Sequence, residues 1–152
     1  MSVFDPNHFL QQTVEGGNFE TRVTPIDEGE YPAVIDAIDI KTLTKSGIRY
    51  VAELRWSIMD ENVKAKLGLP KVTVRQSVFL DIDEAGRYEK GPNKNVQLGR
   101  VRDAVGQGNV NPWALAMLQG AGPAKVKITK RPDDKDPTIV YNDVAAVTKF
   151  AA

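Results

Sequence analysis

The side chains from which most catalytic and metal centres are built are scarce in this chain. It has one histidine, His8, and no cysteine. Thiolate ligands, disulfides and cysteine nucleophiles are therefore excluded, and a histidine-based acid–base pair nearly so. The phosphate loop GxxxxGK[ST], a strand–GxGxxG–helix fingerprint, HExxH and GxSxG do not occur. Gly106-Gln107-Gly108-Asn109 leaves a predicted helix instead of entering one, and reads as a helix stop. The acids Asp81, Asp83 and Glu84, and again Asp133, Asp134 and Asp136, lack the EF-hand spacing and its closing glutamate. They read as loop acids. Neither catalysis nor a metal or cofactor is expected.

What remains is binding chemistry, carried by arginines, lysines and a few aromatics. In the run 48–59, Tyr50, Ala52, Leu54, Trp56 and Ile58 fall on one face, and Arg49, Val51, Glu53, Arg55 and Ser57 on the other. In the run 71–82, Val72, Val74, Gln76, Val78, Leu80 and Ile82 oppose Thr73, Arg75, Ser77, Phe79 and Asp81. Such alternation is the mark of strands with one buried face. The outer face then carries Arg49, Arg55, Arg75 and Phe79. Single-stranded nucleic acid is held by a positive groove along its phosphates and by aromatic faces on which bases stack, each stack contributing about 1–3 kcal/mol. The competing reading is structural: Phe79 packs under the N-terminal arm or a helix, and the arginines pair with Glu53 and Asp81. Alternation assigns Tyr50 and Trp56 to the core, unless a bulge flips the register.

The elements that must position these residues follow in order. Residues 1–28 read as an extended arm, with Phe4, Phe9, Leu10, Val14 and Phe19 scattered among polar residues and a short helix possible after Asp5-Pro6. Strands are expected over 30–40, 48–59 and 71–82, with a polar hairpin connection at 41–47 and a helical turn at 62–67 closed by Gly68. Residues 83–95 read as a loop with Gly86, Gly91 and Pro92 that contains Arg87, Tyr88, Lys90 and Lys94. Val96, Leu98, Val101 and Val105 are spaced for a helix, and Pro112 opens a second over 112–119. A fourth strand is expected at 124–130. A fifth starts at 138–141, turns or bulges at Asn142-Asp143 and continues over 144–150. Three strands, a helical insert and two strands is the element order of a five-stranded OB-type barrel. The predicted class is mainly β with a helical insert (α+β), the arm 1–28 preceding a single domain, 29–152.

Composition agrees with one soluble domain: 152 residues, 41% hydrophobic and 26% charged. No apolar run approaches the roughly 20 residues of a membrane span, and the first residues lack the pattern of a signal peptide. The absence of cysteine fits a reducing cytoplasm. Net charge is zero but unevenly spread. Residues 1–30 hold six acids against Arg22, whereas the rest holds nineteen bases against fourteen acids.

The run Thr21-Arg22-Val23-Thr24-Pro25-Ile26-Asp27-Glu28-Gly29-Glu30-Tyr31, leading into a strand of alternating Ala, Val and Ile, resembles the start of bacteriophage OB-fold single-stranded DNA-binding proteins. The 47–59 strand, the helical insert and the closing Tyr141-Asn142-Asp143-Val144 are similar too. The resemblance implies a non-catalytic protein of the host bacterial cytoplasm that coats exposed strands during phage replication or recombination. Replication or recombination proteins, and further copies of itself, would be its partners. In contrast to bacterial single-strand binders, which end in an acidic recruiting tail, this chain ends Lys149-Phe150-Ala151-Ala152.

On the OB face and its loops, phosphate contacts are expected from Lys41, Lys45, Arg49, Arg55, Arg75, Lys125, Lys127, Lys130 and Arg131, and stacking from Phe79 and Tyr88. Arg100 and Arg102 on the insert helix are expected to be solvated. The alternative is a virion structural protein, such as a neck, tail or decoration subunit, assembling through the arm.

Overall fold

The predicted alternation becomes one curved sheet. The computed structural model describes residues 4–17 and 19–150. Its strands are β1 (Gly29–Leu43), β2 (Arg49–Ile58), β3 (Thr73–Leu80), β4 (Ala124–Pro132) and β5 (Val140–Lys149). They form an open five-stranded sheet in the order β3-β2-β1-β4-β5, with neighbours antiparallel. Helices are few and short: α1 (Pro6–Leu10), α2 (Glu61–Leu67) and α3 (Val96–Ala104). None is long and apolar enough to cross a membrane.

Two bulges shape the sheet. In β1, Ile35 opposes Trp56 and Ala37 opposes Arg55, leaving Asp36 as the extra residue. In β5, Ala146 opposes Lys127 and Val144 opposes Ile128, leaving Ala145 extra. An unpaired extra residue bends a strand and increases its twist. The bulge expected at Asn142-Asp143 thus lies a little further on. Asn142 is occupied otherwise: its side chain accepts from Ile26 N (2.8 Å) and donates to Ile26 O (3.0 Å). Both edge strands, β3 and β5, touch α3 and approach each other.

The core lies on the face predicted for it. Ile35, Leu54, Trp56, Ile58, Val78, Val126 and Ile128 are buried there, and α3 adds Leu98, Val101 and Ala104. Trp56 is fully buried, and its indole N–H donates to Oε1 of the buried Gln76 at 2.8 Å. The one buried polar side chain among the described residues is thereby satisfied. Tyr50, at the far end of the row, is 38% exposed.

The second predicted helix, 112–119, shrinks to a 3₁₀ turn at Leu115–Leu118. Tertiary bonding overrides local propensity here. Gly120 N donates to Ile35 O (2.7 Å) and Ile35 N to Ala121 O (3.0 Å), so the segment serves β1 beside its bulge. Gly122 follows at φ +129°, where a Cβ would sit 3.0 Å from Ala33 O. In contrast, α2 obeys its local signals: Asp60 accepts from Asn62 N and Val63 N, and Gly68 ends the helix at φ 67°.

The arm divides in two. Residues 4–17 and 19–24 are exposed, whereas Ile26 is 4% exposed and held by Asn142. Arg22 pairs with Asp136 (3.0 Å), Asp27 with Lys66 (2.6 Å), and Glu28 accepts from Lys130 N. Part of the expected arm, residues 1–3 and 18, lies outside the described residues, as do Ala151 and Ala152.

Candidate nucleic-acid interface

Strand register places the predicted outer face in rows. Phe79, Val51 and Lys41 lie side by side across β3, β2 and β1; so do Ser77, Glu53 and Asp39, and then Arg75, Arg55 and Ala37. Directly opposed like charges repel, and Arg55 faces Arg75. Two acids relieve this. Asp36, carried outward by the bulge, pairs with Arg55 (2.9 Å) and Lys71 (2.6 Å). Glu53 pairs with Lys41 (2.9 Å) and Arg75 (3.5 Å). Each acid therefore serves two bases, and the group keeps a positive excess. The Lys71 hydrogen bond, with Arg55 behind it, holds the Asp36 carboxyl below its ordinary 3.8.

Phe79 is 46% exposed, and the Arg49 guanidinium lies 5.0 Å over its ring. Val51, opposite it, is buried although it belongs to the outer face. The expected partner of the outer-face bases, Asp81, is engaged elsewhere: it accepts from Asn95 N at 2.7 Å. Lys45 sits on the β1–β2 connection, exposed.

The remaining predicted bases occupy the other half of the sheet. Lys125 pairs with Glu30 (3.6 Å) and Lys130 with Asp27 (3.6 Å). Arg131 pairs with Asp143 (2.8 Å) and lies 5.1 Å over the Tyr141 ring. Lys45, Arg49 and Lys127 form no ion pair among the described residues.

A cleft of about 720 Å³ joins the two halves where the sheet edges face each other. Arg75 and Ser77 line it from β3, and Arg131, Tyr141 and Asp143 from the β4–β5 side, with Val23 and Pro25 of the arm alongside. Sequence reasoning missed Tyr141, 42% exposed, as a stacking candidate. Its place depends on the β4–β5 register, which makes Arg131 and Tyr141 cross-strand partners about the charged 133–139 turn. Lys71 and Asp36 were missed as well, because nothing in the alternation announced the bulge that brings Asp36 outward.

Tyr88 stands apart. It bridges Ile82 in the loop after β3 and lines a separate cleft against α3; burial raises its hydroxyl pKa. The loop acids act as turn formers. Asp83 accepts from Ala85 N and Arg87 N, and Asp133 from Lys135 N and Asp136 N. Among the described residues, no group of three or more His, Cys, Asp or Glu side chains could hold a metal ion. Comparison of the chain with protein-family models and with curated proteins gave no match.

Proposed function

We propose that this protein binds single-stranded DNA with little sequence preference, without catalysis, as a phage accessory to replication or recombination in the host cytoplasm. The observation that carries the reading is the half-exposed Phe79 beneath Arg49, on a face whose other bases outnumber its acids. An apolar ring left open beside a guanidinium is suited to stacking a base while its phosphate is neutralised. The fold fits the same reading: the order β3-β2-β1-β4-β5, with α3 between β3 and β4, supports an OB-type barrel whose edges close near α3.

In this reading, phosphates run from Lys41, Lys45 and Arg49 past Arg55 and Arg75 into the edge cleft towards Arg131. Lys125, Lys127 and Lys130 flank the β4 side. Phe79 stacks a base, joined by Tyr141 in the cleft. The paired bases are not lost to the ligand, because exposed ion pairs contribute only about 0–1 kcal/mol each.

The test is a titration of labelled oligo-dT, and of a duplex of equal length, at low and high salt. Preferential binding of the single strand that falls steeply with salt is expected. Failure to bind at low salt rejects the reading. It would favour a virion subunit, for which one observation speaks: Phe4, Phe9, Leu10, Val14 and Phe19 stand exposed on the arm.

A further inference from the structure

Apart from Tyr88, the cleft between the loop after β3 and α3 is built from residues that the outer-face reading leaves unused. Its volume is about 430 Å³, within the roughly 300–1,000 Å³ typical of ligand sites. Tyr88, Glu89, Lys90 and Lys94 line it from the loop after β3, Arg102 from α3 and Trp113 from the segment before the 3₁₀ turn.

Three side chains lock its back wall. The Arg102 guanidinium donates to two main-chain carbonyls, Gln107 O (3.0 Å) and Val110 O (2.6 Å). It lies 4.8 Å over the Trp113 ring. The Trp113 indole N–H donates to Gln107 Oε1 at 2.8 Å, and Gln107 in turn donates to Met117 O at 2.8 Å. The expectation that Arg102 is solvated is thus corrected: it is half-buried and fixed.

The charge here is unbalanced. Arg102 spends its donors on neutral carbonyls, and neither it nor Lys90 forms an ion pair among the described residues. Glu89 is the one acid of the lining, and Lys94 neutralises it at 3.5 Å. A partly exposed indole, held rigid, with a phenol and surplus positive charge at the rim, matches the chemistry of a base with its phosphate.

We propose that this cleft is a second nucleotide site. One base of a single strand stacks on the exposed part of Trp113, and the adjoining phosphate meets Lys90 and Lys94. The proposal rests on the single-strand reading above and extends it to residues outside the sheet.

The chain's two tryptophans make the test direct. Trp56 is fully buried, so a strand at the surface cannot stack on it, whereas Trp113 lines the cleft. Oligo-dT is titrated into the full-length protein while its anisotropy and the tryptophan emission are followed together. Quenching in step with binding is expected. In Trp113→Phe the strand still binds, because a ring remains, but the quenching disappears. Trp113→Ala weakens affinity about fivefold or more. Lys90→Ala with Lys94→Ala, which leaves the indole wall intact, weakens it severalfold at low salt with an unchanged melting temperature. Binding seen by anisotropy without quenching, with the lysine variant at wild-type affinity, overturns the second site and leaves the outer-face reading standing. Absence of any strand binding overturns both.

Discussion

Asp36 and Glu53 decide how much of the basic face is free, since each holds two of its bases. Replacing Arg55 and Arg75 together with alanine is predicted to weaken single-strand binding roughly tenfold or more at low salt. Stability should move by no more than about 1–2 kcal/mol, because these are exposed ion pairs; anisotropy and a denaturant melt read the two effects separately. Asp36→Asn should act the other way on binding, tightening it severalfold by releasing Arg55 and Lys71. Its effect on stability has a defined sign. The folded carboxyl titrates below 3.8, so its contribution is present above that pH and disappears as pH falls through the folded value. A melting temperature followed downward through pH 3.8 should therefore fall less steeply in Asp36→Asn than in the parent. In the core, Gln76→Ala strips the buried Trp56 N–H of its acceptor. That should cost about 1–3 kcal/mol in denaturant unfolding without altering DNA affinity.

Among the elements, the arm gives the clearest division between anchor and reach. Ile26 is buried, and its backbone N–H and carbonyl bond to the Asn142 side chain, while the described residues before Arg22 carry exposed phenylalanines. Removing residues 1–20 should leave the unfolding midpoint nearly unchanged but alter self-association or cooperative coating. Sedimentation and binding curves identical to the parent would reject that role. Removing 1–28 should in addition cost about 2–4 kcal/mol, through loss of Ile26 burial and of its hydrogen bonds. Element identity was legible wherever one face is buried: period two in β2 and β3 assigned Trp56 and Leu54 inward and Arg55 and Arg75 outward. It failed where a distant partner set the local conformation. The 112–119 stretch has a helical composition, yet Gly120 and Ala121 bond to Ile35, and no periodicity reports a bond over that separation. The site was legible to a similar extent. The residue types of the outer face could be read, but its ion-pair hubs required the β1 bulge, and Tyr141 required the β4–β5 register.

At the scale of the molecule, zero net charge means that any strand affinity must come from local patches. Steep salt dependence at the basic face can coexist with weak general attraction to duplex DNA. The acidic residues of the leading segment are used unevenly. Asp27 and Glu28 are tied to Lys66 and Lys130, while Glu15 and Glu20 remain on the exposed stretch.

The path of β1 has a consequence for how the molecule assembles itself. Residues 33–43 of β1 zip against β2, close in sequence, whereas only residues 29–33 meet β4, some ninety residues further along. Loop closure makes such a distant ladder late to form. The β1–β2–β3 meander should therefore gather first, with the β4–β5 hairpin joining as a separate unit. Being short, the same seam should be the first to open in the native state, and amide exchange along β4 should outpace that along β2. Because β4–β5 carries one wall of the edge cleft and β3 the other, each opening of the seam would part those walls.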